Sequence, residues 1–285
     1  MERIINKNFE VKDMAYLSVL MSLYIKEKPE YARACFDSLL KQTVQADEWV
    51  IVEDGPLSEE MYTLLDKYQV AYPGLINRIV LKENSGLGIA LRIGVPKCKN
   101  ELIARMDTDD IAREDRLEKQ LEMFDKYPEL DICGSHIDEF EDSPETIVAR
   151  RTVPIKHDEI AEYQKRRDAF NHMTVMYKKS SVIKAGNYKT CPLMEDTYLW
   201  IRMLQSGAKC ANIDESLVYA RIGHDMFERR GGWQYYKKYK AGRNKVYQTG
   251  YISSWDYYYT LAIQMAVSIM PNTVRGFVFK KILHK

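Results

Sequence analysis

The sequence contains no Cys-x-x-Cys pair, and its five cysteines (Cys35, Cys98, Cys133, Cys191 and Cys210) are scattered and odd in number. A disulfide framework and a thiolate zinc site are excluded on that ground, and a reducing compartment is expected. The longest apolar run, Tyr257 to Met270, is broken by polar residues. It falls short of the roughly 20 residues that a spanning helix needs. The opening stretch MERIINKNFEVKDM alternates charge and has no apolar centre, so no signal peptide is expected. Neither GxGxxG nor GxxxxGK[ST] occurs, which excludes the dinucleotide fingerprint and the P-loop. Internal repeats and low-complexity segments are also missing.

What remains is a chain of 285 residues, 46% hydrophobic and 29% charged, enough for one large α/β domain with an appendage. Its net charge of +1 conceals an asymmetry. From Trp233 onward, nine Lys and Arg face the single acid Asp256, which gives +8 there and −7 over the preceding 232 residues. That basic, Tyr-rich stretch (233–285) is read as a helical region attached to an acidic body, with an anionic surface as its partner. Its tip, residues 272 to 285, mixes Arg275, Lys280 and Lys281 with Val, Phe, Ile and Leu. It is expected to lie on an anionic membrane surface without crossing it.

Apolar patterning over the first 110 residues alternates strand and helix. Leu17–Leu23, Trp49–Val52, Ile76–Leu81 and Glu101–Met106 read as strands. Between them, Pro29 opens a helix striped by Ala32, Cys35, Phe36, Leu39 and Leu40. Met61, Leu64, Leu65 and Tyr68 stripe the next, and Leu87, Ala90, Leu91 and Val95 the third. This order predicts a mostly parallel central sheet with helices on both faces. Ligands of such sheets bind beyond the carboxyl ends of the strands, where Tyr24, Asp54 and Asp107 fall. Further on, Leu117, Leu121 and Phe124 stripe a helix before Pro128. Leu130–Gly134 and Met173–Tyr177 read as strands, and Glu195–Gln205, Trp233–Thr249 and Trp255–Met270 as helices.

Several segments carry chemistry-bearing side chains. Asp107-Thr108-Asp109 places two carboxylates at i and i+2 at a strand end, a hard-oxygen pair that suits Mg²⁺ or Mn²⁺ with a diphosphate. Taken alone, the same residues read more readily as an acidic capping turn than as a metal pair. A calcium loop fails, because Ala112 stands where the sixth position needs glycine. Glu53-Asp54-Gly55-Pro56 ends a strand in a sharp turn whose carboxylates suit a base N–H or a ribose hydroxyl, or simply an Asp-Gly turn. Gly86 opens a helix that holds Arg92, a cation within reach of a phosphate. Glu195-Asp196 at a helix start either favours the helix dipole or supplies a general base. Arg221, His224, Arg229 and Arg230 read as a loop cluster, solvated or clamping a diphosphate.

Together, LSVLMSLY, WVIVEDGP, ENSGLGIALRIGV, LIARMDTDD, NHMTVMYKKSSVIKAGNY, EDTYLWIRML and LVYARIGHDMFERRGG resemble glycosyltransferase family 2, in order and across residues 17 to 232. The combination of ARMDTDD with RRGG is similar to enzymes of bacterial exopolysaccharide, capsule and O-antigen synthesis. The resemblance implies the GT-A nucleotide-diphospho-sugar transferase fold over residues 1–232. Its donor-binding half would be about 14–112 and its acceptor-binding half about 113–232. It implies that Tyr24 and Glu53 or Asp54 face the base, usually uracil, and that Gly86, Arg92 and Arg105 lie along the nucleotide sugar. Asp107 would contact ribose and metal, and Asp109 the metal.

The same resemblance makes Asp196 the base, with Glu195 beside it. His172, Arg202, Arg221, His224, Arg229 and Arg230 would line the acceptor or diphosphate. The implied reaction inverts a UDP-linked hexose or N-acetylhexosamine onto a lipid-linked or oligosaccharide acceptor. The implied protein is cytoplasmic, peripheral on the inner face of the plasma membrane. Two segments depart from the family pattern: Glu53 replaces the first acid of the usual DDG, and SLYIKEKPE replaces the usual PTYN. A nucleotidyltransferase would show glycine right after the first strand, and residues 22 to 30 have none. An inactive scaffold subunit has no need of the acidic motifs. Nucleic acid is not an expected partner, given the acidic body.

Overall fold

The structure, a computed structural model, describes residues 17–223 and 231–270. His224, Arg229, Arg230 and the basic tip at 272–285 therefore lie outside the described residues.

Buried apolar runs build the first half of the sheet. Strand β1 (Leu17–Leu23) is almost entirely buried and β2 (Glu48–Glu53) completely so, as expected of strands covered on both faces. Along β1 the alternation sorts the side chains: Leu17, Val19, Met21 and Leu23 enter one core and Leu20 the other. Helix α1 (Pro29–Leu40) starts at a proline, and α2 (Glu59–Ala71) starts at Ser58, whose hydroxyl accepts from the Met61 N–H at 3.2 Å. Strand β3 (Ile76–Val80), helix α3 (Leu87–Lys97) and strand β4 (Leu102–Arg105) complete this half. The ladders β3–β2, β2–β1 and β1–β4 are all parallel.

The second half continues the same sheet. After the short β5 (Ile111–Ala112) come helix α4 (Arg116–Lys126), the long β6 (Leu130–Phe140), β7 (Ile147–Arg151) and helix α5 (His157–Tyr163). A 3₁₀ turn at His172–Thr174 precedes β8 (Met176–Lys178), α6 (Lys179–Lys184), α7 (Glu195–Gln205) and β9 (Lys209–Arg221). The order across the sheet is β3-β2-β1-β4-β8-β6-β9-β5, with β7 paired to β6. The antiparallel ladders, β4–β8, β6–β8, β6–β7 and β5–β9, are the short ones, so the sheet is mixed but mostly parallel.

Three departures from the sequence reading matter here. The expected strand Met173–Tyr177 is a 3₁₀ turn followed by a shorter strand. Strand β9 was not anticipated. Arg221, read with the basic loop cluster, instead ends this 13-residue strand. Helices α5 and α6 are too short to show a periodic stripe.

Helix α8 (Gly232–Gln248) and helix α9 (Ser254–Ile269) follow. They pack on the body through Val246, Ile252, Tyr257 and Leu261 against Cys191, Met194 and Ile201. Among the described residues no helix is long and apolar enough to cross a membrane. All five cysteines are buried free thiols.

Candidate active site

Strand β4 ends at Arg105, which is buried, and the chain turns at once through Asp107, Asp109 and Asp110. Arg105 donates two hydrogen bonds to the Asp107 carboxylate. Behind it lies Arg116, fully buried, donating to the Arg105 carbonyl at 2.6 Å and to Gln120 at 3.1 Å. The Cys35 thiol donates to the Asp107 carbonyl at 3.4 Å from α1 below. The turn is thus built on two arginines and a helix.

Strand β9 closes it from the far side. The Arg221 N–H donates to the Asp110 carboxylate at 2.8 Å, and its Nε donates to the Asp109 carbonyl at 3.2 Å. Its guanidinium lies 4.0 Å from the ring centre of Tyr31 and 4.5 Å from that of Phe140.

Asp107, Asp109 and Asp110 each offer an oxygen, and these atoms lie within 4.8 Å of one another. A fourth carboxylate, Glu27, stands against them from the turn after β1. Burial and then the neighbouring Asp109 and Asp107 push its carboxyl up to about 8. Burial and Asp107 raise Asp109 to about 6, and burial raises Asp110 well above the ordinary carboxylate range. Hard oxygens crowded at like charge form a donor set that fits a divalent cation, whose charge would relieve the repulsion. The sequence reading missed Glu27. The one signal for it was that it sits in SLYIKEKPE, where the chain departs from the family pattern.

The turn expected to face the base is held through its own backbone. Asp54 is buried, and its two carboxylate oxygens accept from the Ser85 N–H at 2.7 Å and the Gly86 N–H at 2.9 Å. Glu53 is fully buried and accepts from Arg78 Nε at 2.5 Å, while its other oxygen has no hydrogen-bond partner. Both acids therefore brace the strand ends and the turn before α3. Gly55, at φ +86°, passes so close that an added Cβ would meet the Asn84 nitrogen at 2.6 Å. Gly86 caps α3 at φ +89°. Tyr24 is exposed at the end of β1, and the Arg92 side chain is exposed on α3.

Helix α7 begins with the acid pair. The Glu195 side chain lies over the first turn of α3, where a Cβ on Gly88 would meet its Cγ at 2.6 Å. The Asp196 carboxylate accepts from the Thr197 N–H at 2.8 Å, and the Thr197 hydroxyl donates to Asp168. His172 Nε2 is 2.9 Å from the Tyr188 hydroxyl, and its Nδ1 is 4.0 Å from Asp196. Burial, followed by the charge of Arg105, holds His172 well below the ordinary imidazole range, so it is neutral at pH 7. Burial, and then the like charge of Asp168, push Asp196 up to about 7, against the opposing pull of Arg105. The charge of one guanidinium, Arg105, thus reaches Asp107, His172 and Asp196 and ties the two acidic regions into one site.

Arg202 requires a correction. Its guanidinium donates to the carbonyls of Tyr198 (3.0 Å), Asn187 (2.8 Å) and Ala185, and packs on the Tyr198 ring. It clamps α7 to the loop after α6 and has little left for a diphosphate. Asp168 was not anticipated, because KRRDAF reads as a charged loop.

A family model described as glycosyl transferase family 2 matches residues 18–184. Among curated proteins, the chain is 38% identical to an amylovoran biosynthesis glycosyltransferase of Erwinia amylovora, covering 93% of this chain and 98% of that one. It is 33% identical to a UDP-Gal:α-D-GlcNAc-diphosphoundecaprenol β-1,3-galactosyltransferase of Escherichia coli, covering 96% and 98%. Among solved structures, a mannosyltransferase of Pyrobaculum calidifontis in complex with GDP-mannose and Mn²⁺ superimposes with a TM-score of 0.64. That match covers 91% of this chain and 71% of the other at 12% identity, a likeness of fold.

Proposed function

The chain belongs to glycosyl transferase family 2 and is a glycosyltransferase of the GT-A fold, and from that premise we propose the reaction it carries out. It moves a hexose or N-acetylhexosamine, galactose first among them, from a UDP-sugar onto a lipid-linked or oligosaccharide acceptor in bacterial surface-polysaccharide synthesis, at the inner face of the membrane. The observation that carries this reading is the pair of acidic regions around Arg105, one a crowded oxygen cluster that fits a divalent cation and the other a carboxylate raised by burial and Asp168. The name of the Escherichia coli relative supports the donor and acceptor classes, and that of the Erwinia amylovora relative the polysaccharide setting.

Tyr24 and the turn that Asp54 holds at Ser85 and Gly86 frame the base. Asp109 and Asp107 would hold Mn²⁺ or Mg²⁺, which supplies electrostatic stabilisation of the departing diphosphate. Arg221, fixed between two rings, stands beside that charge, with Arg92 on α3 as a further cation. His224, Arg229 and Arg230 are assigned to the same task by their place in the sequence.

The acceptor hydroxyl attacks the anomeric carbon from the face opposite the diphosphate. The new carbon–oxygen bond forms as the bond to the phosphate oxygen breaks, and Asp196 takes the hydroxyl proton. Glu195, seated on Gly88, bounds the acceptor side against α3. Neutral His172 can hydrogen-bond an acceptor hydroxyl without competing for its proton. One displacement inverts the centre, so an α-linked donor gives a β-glycoside. The test is to incubate the protein and Mn²⁺ with a panel of nucleotide sugars and follow nucleotide diphosphate release. Release from UDP-sugars alone supports the reading, and release only from a GDP- or ADP-sugar overturns the donor assignment.

A further inference from the structure

Helix α9 is apolar on both sides. Its buried face mixes Tyr257, Leu261 and Val267 with Asp256, Thr260 and Ser268, while Trp255 (69% exposed), Tyr258 (67%), Tyr259, Ile263, Met265 and Ile269 (71%) face solvent. The buried polar groups have a structural purpose. Asp256 caps the helix with Ser253 and accepts from Arg166 at 2.6 Å, and Thr260 accepts from the buried Arg243 at 2.8 Å. The exposed residues share one side of the helix, an apolar stripe from Trp255 to Ile269 that runs roughly 22 Å. A stripe of that length on an otherwise soluble body marks an interaction surface.

The surroundings select its partner. The Arg166 guanidinium lies 5.5 Å from the centre of the Tyr259 ring at the edge of the stripe. Lys165 and Arg167 flank it in sequence, and Lys237, Lys238 and Lys240 are exposed on α8. Neither α8 nor α9 exposes a carboxylate, and the sequence beyond α9 adds Arg275, Lys280, Lys281 and Lys285 without an acid. A second copy packed here symmetrically would set cation against cation. An anionic lipid surface instead complements both features, since Trp and Tyr favour the headgroup level, Ile and Met enter the acyl boundary, and cations flank them.

The stripe is also tied to the site. Helix α8 runs so close to the loop before α7 that a Cβ on Gly242 would strike the Pro192 carbonyl. The Cys191 thiol donates to the Gly242 carbonyl at 3.5 Å, and Lys245 donates to the Thr190 carbonyl at 2.8 Å. That loop leads directly into Glu195 and Asp196.

We propose that the exposed face of α9, with its cationic flanks, lies on an anionic membrane surface and sets the height of the acid pair above the lipid. The purpose, presenting the site to a lipid-linked acceptor, rests on the function proposed above. The test does not, because it uses neither donor nor acceptor, so a failure of docking and a failure of transfer are separate results.

Full-length protein is sedimented with vesicles of phosphatidylcholine, alone or mixed with phosphatidylglycerol. Binding should be about tenfold or more stronger to the mixed vesicles and weaken with salt. The variant carrying Trp255→Ser, Ile263→Ser and Ile269→Ser should lose about tenfold of that binding. Its Tm should match the parent, because all three side chains already face water. Equal vesicle binding by variant and parent overturns the proposal, as does a parent that ignores phosphatidylglycerol. A parent dimer in sizing chromatography that the variant dissolves would assign the face to a second copy, which also overturns it.

Discussion

The acidic turn after β4 and the acid pair at the start of α7 use the same side chains for opposite ends. Around the turn, Asp107, Asp109, Asp110 and Glu27 repel one another, and Arg105 and Arg221 are bonded into the loop itself. Among the described residues, no such cation is hydrogen-bonded to the acid pair. Asp196 takes one backbone N–H, has a neutral histidine at 4.0 Å and feels the like charge of Asp168. In the function proposed above, the first arrangement holds a divalent cation against a diphosphate, and the second takes a proton. Environment, more than residue type, assigns the roles.

The difference can be broken at either end. The largest effect is expected from chelation: EDTA should abolish transfer, Mn²⁺ should restore it, and Asp109→Asn should be about 10³-fold slower while remaining folded by circular dichroism. Full activity in excess EDTA would remove the distinction between the regions. Next, Asp196→Asn should slow transfer by about 10² to 10⁴ with KM for the donor little changed, as measured by steady-state kinetics. A rise in donor KM with kcat preserved, or an α-linked product by proton NMR, would give Asp196 a binding role instead.

A smaller effect sharpens the comparison through pH. Asp196 accepts a proton only when ionised, and its carboxyl is raised to about 7. The kcat profile should therefore fall about tenfold per unit as pH drops below about 7. Asp168→Asn removes one of the charges that raise it, so the acid limb should move to lower pH and activity at pH 6 should rise severalfold. An unmoved limb would show that Asp168 only positions Thr197. The smallest effect is expected from Gly88→Ala, whose Cβ displaces a flexible Glu195 side chain: about a two- to fivefold rise in acceptor KM, with donor KM unchanged.

The first half of the fold was legible because buried parallel strands are short apolar runs and amphipathic helices carry their own period. The ends of β1 and α7 were placed correctly by those patterns. Strand β9 was hidden because KCANIDESLVYAR is half exposed, acidic in the middle and irregular in register against β6, so neither continuous burial nor strict alternation shows. Missing β9 put Arg221 in a loop. Glu27 and Asp168 were invisible for another reason: each sits in a charged stretch that looks solvated, and only the fold reveals what it faces. Asp54 shows the converse, for the motif was legible but its oxygens serve the backbone at Ser85 and Gly86.

The bond from the Arg221 N–H to Asp110 spans 111 positions, and it sets a timetable for synthesis. When the ribosome has released residues 17 to 112, every strand of the parallel half of the sheet is available, yet the acidic turn still lacks the strand end that fixes Asp110 and the aromatic-stacked cation beside it. At roughly 5 to 20 residues per second that gap lasts on the order of ten seconds. Nascent chains in that window can form the parallel strands but not the finished acidic turn, whose completion waits for β9.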